Sequence, residues 1–155
     1  MNRKFLHEAI RLSIEKMEAN EGGPFGAVIV KDGEIVGRGW NQVTSTNDPT
    51  AHAEIVAIRD ACARLETFSL AGCEIYTSCE PCPMCLSAIN WARLDRIYYA
   101  ATSEDAAAIG FDDSSLYHDL SLPPNERLIP REQDLREEAL EAFRKWAEKQ
   151  DKMEY

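Results

Sequence analysis

The stretch Glu74-Ile-Tyr-Thr-Ser-Cys-Glu-Pro-Cys-Pro-Met-Cys-Leu-Ser-Ala-Ile-Asn-Trp-Ala-Arg-Leu-Asp-Arg-Ile-Tyr-Tyr-Ala100 decides the fold. Residues 74–77 are short and β-prone. Pro81-Cys-Pro83 can open a helix over 84–92, and 96–100 is β-prone again. Strand, helix, strand in this order predicts a right-handed crossover and a parallel strand pair.

Upstream, Gly26-Ala-Val-Ile-Val30 and Ile35-Val-Gly-Arg-Gly-Trp40 flank the turn Lys31-Asp-Gly-Glu34. An Asp-Gly pair between two β-type runs reads as a hairpin. Before it, Leu6, Ala9, Ile10, Ile14 and Met17 recur at three- and four-residue steps, which predicts an amphipathic helix over 3–20. After it, the polar stretch 41–49 reads as a loop. Thr50 is then the expected cap of a helix over 51–64, with His52 and Glu54 in its first turn.

Downstream, 103–109 predicts one or two helical turns. Residues 112–131 carry Pro123, Pro124 and Pro130 without clean periodicity and read as a long loop or hinge. Leu135, Ala139, Phe143, Trp146 and Ala147 place a last helix within 132–155. The order α-β-β-α-β-α-β-α predicts an α/β protein, a three-layer α/β/α sandwich around a mixed sheet. At 155 residues the chain can bury one core, so 1–155 is expected to be a single domain.

No apolar run approaches the roughly 20 residues of a membrane span, and 1–5 lacks the apolar stretch of a secretory signal. Cys79, Cys82 and Cys85 stand three residues apart, which suits metal or thiolate chemistry better than disulfides and fits a cytoplasmic, reducing compartment. The formal charge of −10 argues against nucleic acid as partner, because phosphate neutralisation needs Lys and Arg in excess.

The chemistry concentrates in His52-Ala53-Glu54 and Pro81-Cys82-Pro83-Met84-Cys85. A catalytic zinc takes three protein ligands from N and S donors and leaves a fourth position for water, and His52, Cys82 and Cys85 meet that count with one Zn2+ per chain. Cys82 and Cys85 share one face at a helix N-terminus, where the dipole favours thiolates. Glu54, two residues from His52, suits proton transfer better than ligation and is assigned as general acid and base. His-x-Glu followed by Pro-Cys-x-x-Cys is the signature of zinc nucleobase deaminases.

Blander readings stand beside this one. The three cysteines suit an iron–sulfur cluster, or a closed zinc site that includes Cys79. Cys62, Cys73 and Cys79 also read as packed thiols, and His7 and His118 as solvated or packing residues. Phe25, Trp40 and Trp91 are either core or pocket lining. Asn41 and the Asp112-Asp113 pair would be ordinary turn and loop residues.

Through those residues and others, the sequence resembles the cytidine deaminase superfamily nearly end to end, and within it most resembles the bacterial guanine deaminases. The likeness is carried by Gly22-Gly-Pro-Phe-Gly-Ala-Val-Ile-Val30, Asn47-Asp-Pro-Thr-Ala-His-Ala-Glu54, Thr77-Ser-Cys-Glu-Pro-Cys-Pro-Met-Cys85, Ile89-Asn-Trp-Ala-Arg93, Gly110-Phe-Asp-Asp113 and the ending Glu154-Tyr155. The resemblance implies a cytidine deaminase-like fold and a purine base as substrate. It implies that Asn41 and Asp113 hydrogen-bond the base, Phe25 stacks on it, Trp91 walls the pocket, and Ala53 and Tyr155 complete the contacts. It further implies a homodimer that exchanges the segment 132–155 about the 112–131 hinge, so that a partner's terminal Tyr closes the pocket.

The implied reaction is hydrolysis of guanine at C2 to xanthine and ammonia, in purine catabolism or salvage, with Glu54 protonating N3 and then the departing amine. Deaminases of guanosine, cytosine or triazines are rivals, since pocket shape decides between them. A tRNA adenosine deaminase shares the metal motif, but the acids of the final helix (Glu132, Asp134, Glu137, Glu138, Glu141) oppose an anionic polymer. A zinc module without activity is the reading from a different class.

Overall fold

In a computed structural model of the chain, residues 1–154 are described and Tyr155 lies outside them. The described chain divides into two compact units, Met1–Ser115 and a second from Leu116 onward. The first unit holds helix α1 (Arg3–Glu18), strands β1 (Gly26–Lys31) and β2 (Glu34–Trp40), the short α2 (Val43–Thr46), α3 (Ala53–Leu65), β3 (Cys73–Cys79), α4 (Pro83–Trp91), β4 (Arg96–Ala101) and α5 (Ser103–Ala108).

The sheet order is β2-β1-β3-β4. The hairpin β1/β2 is antiparallel with Gly26 opposite Trp40, and β1/β3 is antiparallel with Ala27 opposite Thr77. The pair β3/β4 is parallel with Cys79 opposite Ala101, as the crossover through α4 requires. One consequence decides the function. The start of β1, the end of β2 and the ends of β3 and β4 all reach the same sheet edge, so Phe25, Asn41 and the Cys79–Cys85 segment leave it side by side.

Alternation along β1 splits the core into two layers. Ala27 and Ile29 face α3 and α4, clustered with Ala53, Ala57, Ala61, Ile75 and Ile89. Val28 and Val30 face α1, clustered with Phe5, Leu12 and Tyr76. Helices therefore cover both faces of a mixed sheet, the sandwich expected from the element order. On α1 the buried stripe is Phe5, Ala9, Leu12 and Ser13. Ile14 and Met17, two of the residues used to place that helix, are exposed, so the buried face is rotated from the predicted one.

The helix α3 lies on β2 almost backbone to backbone. A Cβ at Gly39 would stand 2.1 Å from the Ala53 carbonyl oxygen, which is why a bare residue faces the alanines of α3. This approach fixes where α3 begins. It begins at Ala53, with His52 as its N-cap, rather than at 51 behind a Thr50 cap. The Thr50 hydroxyl and N–H instead both donate to Asp48 Oδ1, at 2.6 and 2.8 Å, in a local turn that holds Thr50 outside the helix.

The stretch 112–131 is not a featureless loop. It contains α6 (Ser114–Ser121) and a 3₁₀ turn, Pro124–Glu126. Asp112 Oδ1 accepts the Ser114 N–H at the start of α6, and Asp119 Oδ1 accepts the Leu128 N–H at 2.6 Å, folding the chain back on the helix. Neither α6 nor α7 (Arg136–Glu148) has a buried residue, and Phe143 of α7 is 69% exposed.

Candidate metal centre

The centre is built from two helix N-termini that meet at the sheet edge. His52 caps α3 and Cys82 caps α4, whose first residue is Pro83; Cys85 follows one turn further on. The Pro83 ring presets the first helical φ and needs no amide partner, so α4 starts at once after its first thiol. His52 Nδ1 lies 3.6 Å from Cys82 Sγ and 3.5 Å from Cys85 Sγ. A tetrahedral zinc with N and S ligands at about 2.0 and about 2.3 Å spaces those donors about 3.6 Å apart. The donor types, their spacing and their mutual clustering within 4.8 Å all fit one zinc ion.

Electrostatics here follow from shared protons. The hydrogen bond from Cys85, more than the neighbouring His52, holds the Cys82 thiol down to about 4 against the opposing effect of burial. Cys85, the donor in that bond and itself buried, is pushed far up. His52 is raised by its bond with Cys82, against burial. Without metal the three ligands thus hold one another.

Glu54 stands on the second residue of α3, 7% exposed. Burial pushes its carboxyl up, and its own backbone N–H opposes that only in part. Cys85 Sγ lies 3.4 Å from Glu54 Oε2, within hydrogen-bond reach, which sets the carboxyl directly beside the metal ligands. Such an acid can carry protons next to a reacting centre.

Cys79 stands apart from the donor triad. It is buried at the end of β3, its Sγ donates to the Thr102 carbonyl at 3.4 Å, and burial pushes its thiol up to about 11. It is a packed strand-end thiol. A four-ligand site through Cys79 finds no support, and the open position of a three-ligand centre is kept.

Around this centre the fold gathers several of the other expected residues. Asn41 is buried, and its Oδ1 accepts the Gly23 N–H at 3.1 Å and the Val43 N–H at 3.3 Å. Two N–H donors on one atom identify it as the carbonyl oxygen, and the NH2 is what remains for a ligand. The Asn41 N–H donates to the Phe25 carbonyl at 3.0 Å, tying the two residues together. Asp113, after α5, is raised by burial and then by the Cys82 charge, which brings it within electrostatic reach of the same centre.

Ala53 is buried in the core with its methyl group among Ala27 and Ile29, so its main chain is the part a ligand would meet. Trp91 is not brought to the metal. It ends α4, about 13 Å along the axis from Cys82 by helical rise, and is 69% exposed beside Ser87, Asn90 and Arg93. Trp40 points to the α1 side of the sheet, where the Lys16 ammonium sits 4.2 Å from its ring centroid. Tyr155 falls outside the described residues. Phe111 had no expected role, yet its ring meets Phe25 edge to face at 4.9 Å and 89°. The only signal for it was its place inside Gly110-Phe-Asp-Asp113.

Residues 1–101 match the family described as the cytidine and deoxycytidylate deaminase zinc-binding region. A guanine deaminase of Bacillus subtilis (strain 168) is 53% identical over 97% of this chain and 97% of its own length. The X-ray structure of a guanine deaminase from Bacillus subtilis superposes with a TM-score of 0.97 at 52% identity, covering 100% of this chain and 99% of the other. A tRNA-specific adenosine deaminase of Aquifex aeolicus is 45% identical over 63% of this chain and 64% of its own length.

Proposed function

This chain belongs to the zinc-binding cytidine and deoxycytidylate deaminase family, and from that premise we propose that it hydrolyses guanine to xanthine and ammonia, a step of purine breakdown or salvage. The observation that carries the reading is the likeness to the Bacillus subtilis guanine deaminase, which runs through 97% of both chains. The Aquifex aeolicus tRNA-specific adenosine deaminase is less similar, at 45% identity over less than two thirds of either chain, and that of Haemophilus influenzae falls to 37% over 78% of this chain. The acidic balance of the chain also opposes a polyanionic substrate.

His52, Cys82 and Cys85 would hold the zinc. When bound, the metal supplies Lewis acidity that brings the pKa of a water towards about 7. Phe25, propped by Phe111, offers a ring face for the purine to stack on. The Asn41 NH2 donates to a ring acceptor, while Asp113 accepts from a ring N–H; this opposed pair selects the edge of the base. Glu54 takes a proton from the attacking water and delivers it to N3 as the C2–O bond forms. It then passes the second proton to the exocyclic nitrogen as the C2–N bond breaks, releasing ammonia.

The protein is further read as a cytoplasmic homodimer exchanging its C-terminal segment. All five cysteines are free, which supports a reducing compartment. No described helix is long and apolar enough to cross a membrane. The helix α7 carries Phe143 and Trp146 with no buried residue, which supports a partner surface for it, and a partner tail reaching the pocket would give Tyr155 its role. The function is tested by measuring ammonia release from guanine, guanosine, cytosine, adenine and a tRNA anticodon stem by zinc-loaded protein. Turnover confined to guanine is expected; faster turnover of any other substrate overturns the reading.

A further inference from the structure

The Asn41 carboxamide is held by two backbone donors, the Val43 N–H two residues on and the Gly23 N–H, and the second depends on a network on the far side of the sheet. Lys16, on the last turn of α1, ion-pairs Glu21 at 3.1 Å and lies over the Trp40 ring. The Glu21 N–H donates back to the Lys16 carbonyl at 3.0 Å, and the Glu21 carbonyl accepts the Ser45 hydroxyl at 2.7 Å. Gly22 presses on the Asn41 main chain so closely that a Cβ would fall 1.8 Å from the Asn41 carbonyl oxygen. Gly23 then donates its N–H to Asn41 Oδ1.

Beyond the backbone bonds from the Asn20 and Glu21 N–H groups to the Met17 and Lys16 carbonyls, the turn that carries this amide is anchored by side chains. Asn20, just before it, is in the left-handed region at φ 59°, and Gly22 and Gly23 add conformational freedom. Its anchors are the Lys16 pair and the Ser45 bond, and Lys16 also grips Trp40, the residue before Asn41. One cation thus braces both strands of chain that determine where the Asn41 carboxamide points. If the turn loosens, the Gly23 N–H leaves Oδ1, only the longer Val43 bond at 3.3 Å still holds the amide, and its oxygen more readily turns to where a ring acceptor needs a donor.

We propose that Lys16 is a positioning residue for substrate, acting through Glu21 and Gly23 to keep the Asn41 NH2 turned toward the base. The proposal rests on the reading of Asn41 as a contact of the purine. A half-buried ion pair and a cation–π contact are each modest, so the expected effect is several-fold rather than complete loss.

The test compares Lys16→Met, Lys16→Arg and Asn41→Ala as zinc-loaded full chains, measuring kcat, KM for guanine, the inhibition constant of xanthine, and the melting temperature. Lys16→Met is expected to raise KM and the xanthine constant about fivefold together, with kcat within about twofold, and Lys16→Arg to restore both constants. An unchanged KM in Lys16→Met beside a raised KM in Asn41→Ala overturns the brace alone. An unchanged KM in Asn41→Ala overturns the reading of Asn41 itself, and the brace with it. A Lys16→Met protein whose kcat falls in step with its melting temperature, without a change in the xanthine constant, shows a merely structural role and also overturns the proposal.

Discussion

The main chain of Ala53 rests on the bare Cα of Gly39, with room of only 2.1 Å between its carbonyl oxygen and the place a side chain would begin. Because Ala53 stands between a metal ligand and the acid, this one contact sets both at their height above the sheet. Gly39→Ala is expected to cost about 2 to 3 kcal/mol of stability, as overpacking does, and to weaken zinc binding about tenfold. Denaturant unfolding and a competitive zinc titration check this; unaltered zinc affinity in the variant would show that the contact does not place His52.

Glu54 touches a ligand without being one. Glu54→Ala is therefore expected to retain one zinc per chain while ammonia release from guanine falls by at least about a thousandfold. Metal analysis beside the kinetics separates the two roles. Loss of zinc along with activity would make Glu54 part of the metal's own support. Stripping the metal from the unaltered chain with a chelator is expected to abolish turnover, and added zinc to restore it.

Glu8 joins α1 to β2 by accepting from Arg11 at 2.8 Å and Arg38 at 3.2 Å. Arg11, then Arg38, holds its carboxyl below the ordinary value of 4.5, against some burial. A lowered acid stabilises the fold above its unfolded pKa and loses that contribution as pH falls through the folded one. Glu8→Gln should accordingly cost up to about 1 kcal/mol at pH 7, with the gap to the parent closing between about pH 5 and about pH 3. Urea midpoints across that range measure it; a gap that persists at the acid end rejects the ion-pair account.

Removing residues 153–155 is expected to reduce guanine turnover far more than it lowers the melting temperature, if a tail closes the pocket of a partner. Full activity in the shortened chain would take the tail out of the site.

Much of this was legible because the deciding signals are local. The crossover 74–100 needed only β-prone runs around a proline-led helix, and the metal ligands needed only their donor types and spacing. What escaped the sequence was set by tertiary contacts or by polar turns. Thr50 lost the cap of α3 because Asp48 captured its hydroxyl. Helix α6 escaped because its apolar stripe, Leu116, Tyr117 and Leu120, spans a single turn before the prolines that follow. The orientation of the Asn41 amide depends on Gly23, eighteen residues earlier, and on a lysine from another element. Phe111 became visible as a neighbour of the pocket only once its ring was seen against Phe25.

The hairpin turn of β1 and β2 lies at the end of the sheet away from all of this. Asp32 and Gly33 take up positive φ there, and nothing stands within 4 Å of where a Gly33 side chain would begin. Six residues of β1 separate it from Phe25, a span of about 23 Å. A dye, a spin label or a surface linker grafted at that turn would report on or immobilise the working enzyme without entering its chemistry.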